Sequence, residues 1–412
     1  MKRLCLFFAL ASTQAHAADD WIGGFVLADQ QRIGLNNGFN STPLNNDNFL
    51  RIAPNTSTLV GLVEGSYKDT SFRTRVEANT SNLPEQGTRS SITLQELNQV
   101  FRINDASTLS LGKRLYSLDP SYINQPLGFF QKSTDLTDPL DALGKSEGVP
   151  MAVLSWNGAK AGITALYSKD IGNQFDGRNK GVEQSLIKLS YEFDQLSTSV
   201  LLRRASGESA GIGATFSGNS GDSLSYYGSF YSAKGSQRPI LNTLLGQSSI
   251  PELGFYRSND GIRYNRATLG LIYTPQDLAK WQIEYSYDGR GLSDAQYAGF
   301  LDQMKRNQAT QLPDIAIKVQ QAMLAQMLTS QGMRRRYLSL SLTQSMGAWE
   351  WGAGVYAGLD DHSRTWHGTA EYKYTQRISL LLSAIWQDGA NNSERTLSPI
   401  TNSVAARLRW LY

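Results

Sequence analysis

Apolar and polar positions alternate along most of this chain. Trp281, Ile283, Tyr285 and Tyr287 interleave with Gln282, Glu284, Ser286 and Asp288, and Val404, Ala406, Leu408, Trp410 and Tyr412 with Ser403, Ala405, Arg407, Arg409 and Leu411. A period of two is the signature of a strand with two unlike faces. Such segments come in pairs around short turns: Thr56–Tyr67 with Ser71–Asn79, Ile92–Ile103 with Ser107–Arg114, Val149–Trp156 with Lys160–Tyr167, Gln184–Phe193 with Leu196–Arg204, Ser209–Phe216 with Ser223–Ala233, Tyr264–Tyr273 with Lys280–Asp288, Tyr337–Ser345 with Ala348–Ala357, and Thr365–Tyr374 with Arg377–Gln387. Asn157-Gly158 reads as a two-residue hairpin turn with positive φ at both positions. With Trp21–Ala28 and Thr401–Tyr412 at the ends, the pattern predicts about 18 strands, 16 being the alternative count. Short turns alternate with mostly longer loops.

Three of those loops stand out. Gln30–Asn55 is rich in asparagine and glycine, and Tyr116–Gly148 mixes prolines, aromatics and carboxylates. Gly289–Arg336 carries helix signals: Ser293 and Gln296 form a capping box, Tyr297, Phe300, Leu301 and Met304 follow at helical spacing, and Pro313 suits the start of a second helix. A helical insert over about 293–330 follows, and its apolar stripe must bury against something, because isolated short helices are marginal in water.

Lys2 and Arg3, the apolar run Leu4–Ala11 and the small-x-small site Ala15-His16-Ala17 predict a cleaved signal peptide over 1–17, leaving one domain over 18–412. The apolar run is too short to cross a bilayer as a helix. The sole cysteine, Cys5, lies inside it, so no disulfide or thiolate metal site is expected in the mature chain. Loss of Lys2 and Arg3 takes the formal charge from +3 to near +1, which gives no argument for a nucleic-acid partner. The mean hydropathy of −0.35, with no later apolar run long enough for a spanning helix, argues against a helical membrane protein. A membrane barrel tolerates it, because only alternate strand residues meet lipid.

The last strand, Thr401–Tyr412, resembles the closing strand of bacterial outer-membrane β-barrels: its apolar face ends in Trp410 and Tyr412. Several other apolar sets also begin or end in Trp or Tyr, as interfacial girdles do. The resemblance implies an all-β fold, a transmembrane antiparallel barrel integral to the bacterial outer membrane, with long loops outside. In size and topology it is similar to substrate-specific porins and alginate-export barrels. Expected partners are outer-membrane lipid and lipopolysaccharide, the barrel-assembly machinery through the C-terminal strand, and a small hydrophilic solute. The implied function is a porin-like channel for passive or selective passage of hydrophilic, anionic or carbohydrate solutes. The alternatives are a polysaccharide-export conduit, or a plugged barrel acting as a scaffold.

On that reading Arg73, Arg75, Arg114, Lys188, Arg266, Glu284, Arg407 and Arg409 face the lumen as pore-lining or solute-binding residues, with Arg73 and Arg75 the foremost pair. Wall pairing with carboxylates is the competing role for each. Tyr116–Gly148, the third outer loop, is the candidate constriction, as in general porins, and offers Asp119, Tyr122, Phe129, Asp135 and Lys145. No cofactor or metal motif appears. Asp360-Asp361-His362-Ser363 holds the residue types of a triad, but adjacent residues on one short loop do not converge as one, so no enzyme is expected.

Overall fold

The structure, a computed structural model, describes residues 20–36, 52–83, 87–130, 145–169, 183–206, 208–235, 239–241, 255–257, 261–275, 279–309 and 332–412. The expected signal peptide, Asp135 and the second half of the helical insert lie outside them. Twenty strands are described: β1 (Trp21–Leu35), β2 (Asn55–Tyr67), β3 (Thr70–Ser81), β4 (Thr88–Asn104), β5 (Ser107–Arg114), β6 (Val149–Asn157), β7 (Ala161–Lys169), β8 (Glu183–Glu192), β9 (Leu196–Ala205), β10 (Gly211–Ser220), β11 (Leu224–Lys234), β12 (Pro239–Leu241), β13 (Phe255–Arg257), β14 (Arg263–Tyr273), β15 (Lys280–Asp288), β16 (Arg336–Met346), β17 (Trp349–Gly358), β18 (Arg364–Lys373), β19 (Ile378–Asp388) and β20 (Ile400–Leu411). Among the described residues one helix, α1 (Asp294–Ala309), stands between β15 and β16.

Eighteen of the strands form one antiparallel sheet. It closes because β1 pairs with β2 on one side and with β20 on the other, Leu27 lying opposite both Val60 and Arg409. β11 pairs directly with β14, so β12 and β13 form a separate two-stranded hairpin in a loop. Closure removes every sheet edge, which is what lets backbone polar groups sit in hydrocarbon. Among the described residues no helix is long and apolar enough to cross a membrane; the crossing is made by strands.

The alternation fixes two faces. Ile378, Leu380, Leu382 and Trp386 on β19 are exposed, while Ser379 and Ile385 between them are buried. The same holds on β15, where exposed Trp281, Ile283 and Tyr285 flank buried Glu284 and Ser286. A belt of exposed Leu, Ile and Val of this extent is a lipid-facing surface. Exposed aromatics edge it at the short-turn end, among them Trp21, Tyr67, Trp156, Trp281, Trp349 and Trp410, and at the long-loop end through Tyr167, Trp366 and Trp386. Leu380→Arg, a charge on that belt, is expected to cost about 2–4 kcal/mol if it lies near the bilayer midplane, read as a shift in the urea midpoint of folding into vesicles; a neutral effect would contradict the assigned face.

The structure departs from the expected elements in instructive places. β1 runs to Leu35 rather than Ala28, because Asp29, Gln31 and Ile33 continue its buried face and pair along β20. The Asn157-Gly158 turn is not of the expected kind, as neither residue has a positive φ. Asn157 stays in the ladder opposite Gly162, and the loop closes through Gly158 N–H to the Ala161 carbonyl at 2.8 Å. A Cβ at Gly158 would approach the exposed Trp156 ring at 2.9 Å, so a larger residue there would have to displace that ring. The positive-φ pair is Lys68 (46°) and Asp69 (63°), which make a tight turn between β2 and β3 without glycine.

Candidate functional site

The chain leaves β5 at Arg114 and folds into the lumen. Asp119 fixes the first bend, its carboxylate accepting from the backbone N–H of Ser121 at 2.9 Å and of Leu127 at 2.7 Å. Leu118, Leu127 and Phe130 then pack on the lumen side of β6–β9 and β11, against Val149, Met151, Val153, Leu166, Leu186, Leu201 and Tyr231. The tip of the bend reaches the far wall. Glu284 of β15 accepts from three successive backbone N–H groups, those of Tyr122 (3.0 Å), Ile123 (3.2 Å) and Asn124 (3.0 Å). Around the ring, β15 is eight strand positions from β5 one way and ten the other, so this attachment spans the barrel.

The attachment is reinforced on both sides. The Tyr227 hydroxyl donates to Glu284 at 2.8 Å. The Asn124 amide donates to Ser286 at 2.7 Å and to Tyr356 at 3.1 Å, and its carbonyl accepts from Thr268 at 2.8 Å. Consecutive N–H groups around one carboxylate form an anion nest in which the wall supplies the anion and the loop supplies the cradle. Glu284, expected as a solute contact, is therefore 2% exposed and committed to the loop.

The other constriction candidates divide. Tyr122 is exposed, its ring tilted against Tyr227 at 5.6 Å with the Lys280 ammonium 5.3 Å from its centre. Phe129 packs edge-on against Tyr231 at 4.8 Å and lies under two guanidinium groups, Arg203 at 4.0 Å and Arg266 at 5.3 Å. Arg203 is tied further to Gln184 at 2.9 Å and Glu208 at 2.5 Å. Lys145, on the returning limb, is exposed.

The wall cations divide in the same way. Arg75 is buried and pairs with Glu77 at 2.5 Å, and Arg407 is buried and pairs with Asp29 at 2.8 Å while reaching Ser383 at 3.1 Å. Their neighbours on the same face keep more surface. The Arg73 side chain is 23% exposed, beside Glu64 at 3.4 Å, and that of Arg409 is 31% exposed, beside Glu371. Each doublet thus has one arm sunk in the wall and one reaching toward the lumen. The strand order β3-β2-β1-β20 places the two doublets on either side of the barrel's seam. Arg114, Lys188 and Arg266 have no carboxylate within 4.0 Å among the described residues. Arg114 lies over Tyr116 at 5.4 Å, and Arg266 over Tyr231 at 4.8 Å.

At the long-loop end the sequence reading missed an arrangement built on Glu394. This side chain, 0% exposed, accepts from the Tyr337 hydroxyl at 2.7 Å and the Met333 N–H at 2.8 Å. Tyr337 stacks on Tyr356 at 5.0 Å, which links it to Asn124 and so to the inward loop. Helix α1 joins the same assembly. Its capping box is formed in both directions, between Ser293 N and the Gln296 side chain at 2.9 Å and between Gln296 N and the Ser293 hydroxyl at 3.3 Å. Tyr297 is buried and donates to the Asn392 carbonyl at 2.7 Å, and Arg334 lies over its ring at 4.6 Å. The Asp360–Ser363 group is spent on backbone. Burial pushes Asp360 up, but hydrogen bonds from the Arg336 guanidinium and from the N–H groups of Arg335 and Arg336 outweigh it and hold the carboxyl below its ordinary range. Asp361 accepts from the N–H of Ser363 at 3.1 Å and of Glu394 at 2.7 Å.

No protein-family model matches this chain, and no curated protein matches it. Solved structures do, 289 chains in all. Acinetobacter baumannii OccAB1 is similar with a TM-score of 0.54 at 10% identity, covering 98% of this chain and 98% of that one. Pseudomonas aeruginosa OccK5 (OpdH) gives 0.51 at 10% identity, over 97% and 99%. OccK3 (OpdO) of the same organism gives 0.51 at 10%, over 96% of each. At this identity the likeness is one of fold: a closed, porin-like transmembrane β-barrel of the kind found in bacterial outer-membrane proteins.

Proposed function

We propose that the protein is a channel of the bacterial outer membrane, with its long loops outside, that passes small hydrophilic solutes by diffusion and favours anions. The observation that carries this reading is the loop anchored across the lumen by Glu284, which narrows the passage with ordered backbone. Arg114, Lys188 and Arg266 sit on walls around that loop with no carboxylate within 4.0 Å among the described residues, and Arg73 and Arg409 keep accessible guanidinium surface. A narrow water-filled passage with low-dielectric walls focuses the field of such groups, and an anion passing them exchanges part of its hydration for N–H donors. The reading needs no cofactor and no catalytic residue.

Replacing Arg73 and Arg409 together by alanine is expected to lower anion preference, read as a reversal potential moving toward zero in a potassium chloride gradient across a planar bilayer. Glu64 and Glu371 would then face the lumen without these partners, which adds to the shift. An unchanged reversal potential in a folded variant would confine both arginines to wall pairing.

A further inference from the structure

On the outer wall of β6–β9, away from the lumen, the register aligns two rows of outward side chains. One is Leu154, Ala165, Ile187 and Leu202; the next, toward the long loops, is Ala152, Tyr167, Ser185 and Arg204. Ala152, Ala165 and Ser185 are small where their neighbours are large, and the mismatch leaves an open, almost wholly apolar groove of about 490 Å³. An unfilled groove forfeits dispersion contacts along its lining. A single acyl chain has the linear shape and the apolar surface to restore them.

The end of the groove nearest the long loops is charged. Arg204 on β9 is exposed on the lipid side, and Lys169 on β7, one row further out, is exposed on the other side of β8, opposite Glu183. Neither has a carboxylate within 4.0 Å among the described residues. The acid described in that row, Glu183, accepts from the Tyr167 hydroxyl at 3.0 Å. Among the described residues two cations thus stand against one carboxylate, a surplus of positive charge at the boundary of the hydrocarbon. Cations are costly on a lipid-facing wall and become tolerable near the interface. An anionic headgroup reverses the sign, and a guanidinium and an ammonium flanking β8 suit a phosphate placed between them.

We propose that this groove is a lipid site, holding one acyl chain of a phosphorylated glycolipid of the outer leaflet with its phosphate at Arg204 and Lys169. The choice of leaflet, and so of glycolipid over phospholipid, rests on the orientation proposed above. The groove and its cationic end do not.

The test is binding of bis-phosphorylated lipid A to the detergent-solubilised full chain, followed by native mass spectrometry, with phosphatidylglycerol as the comparison lipid. Ala165→Trp fills the groove and Arg204→Glu reverses its end. Each is expected to weaken lipid A binding roughly tenfold, the scale on which single contacts of this kind act, with wild-type single-channel conductance retained. Ala165→Leu serves in place of the tryptophan if that variant does not fold. Wild-type binding in both variants would overturn the proposal. Phosphatidylglycerol binding as tightly as lipid A would overturn the assignment to glycolipid. Self-association of the wild type that Ala165→Trp abolishes, without lipid binding, would give the groove to a second copy of the chain. Lipid binding without wild-type conductance would overturn the channel reading and leave this site standing.

Discussion

Glu284→Leu is expected to loosen the tip of the inward loop and raise single-channel conductance, with added flicker. The substitution removes the acceptor of three backbone N–H groups and of the Tyr227 hydroxyl. Hydrogen bonds to a charged group contribute about 1.5–3 kcal/mol each, so losing three removes on the order of 4.5–9 kcal/mol of attachment from the tip. The bend at Asp119 and the packing of Leu118, Leu127 and Phe130 are untouched, so residues 118–119 and 127–130 stay on the β6–β9 wall. Tyr122 and Ile123 gain the freedom, while Asn124 keeps its bonds to Ser286, Tyr356 and Thr268. Glu284→Gln keeps one carbonyl acceptor and the side-chain length, and should fall between wild type and leucine. Unchanged conductance in a folded Glu284→Leu protein would mean that the tip is not the narrow point.

Arg407→Ala is expected to cost about 3–5 kcal/mol, the penalty for removing one partner of a buried ion pair. The Arg407 and Asp29 side chains are 4% and 1% exposed, and they join β20 to β1 at the seam that closes the barrel. The cost should appear as a lower temperature of heat modification on gels and as slower folding into vesicles. Arg73→Ala is the contrast. Its pair with Glu64 is 23% and 38% exposed, and exposed pairs of that kind are worth about 0–1 kcal/mol. Equal losses from the two substitutions would contradict the division of the doublets into one wall arm and one lumen arm.

The strands were legible because lipid outside and polar groups inside impose a period of two on most of them. Every one of the eight hairpins is present, and the ring of strands has 18 members. The lumen was less legible, because a period of two tells which face a residue is on and not what lies against it. Glu284 and Gln282 have the same periodicity, yet only Glu284 anchors the loop. A usable signal was present in β6–β9. Met151, Val153, Leu166, Leu186 and Leu201 are apolar on the lumen side of strands whose outer side is also apolar. Strands apolar on both faces in an otherwise two-faced barrel require an apolar cover, and Leu118, Leu127 and Phe130 supply it. Glu394, buried beneath Tyr337 and Met333, gave no such sign, since its partners lie 57 and 61 residues away in sequence.

The central claim is a conducting lumen narrowed by an anchored loop and biased toward anions. Single-channel recording of the refolded wild-type protein in a planar bilayer, under a potassium chloride gradient, tests it most directly. The account predicts discrete conductance steps with a reversal potential on the anion side of zero. A barrel that folds, resists SDS until heated and inserts, yet yields no steps, would contradict it and identify a filled barrel.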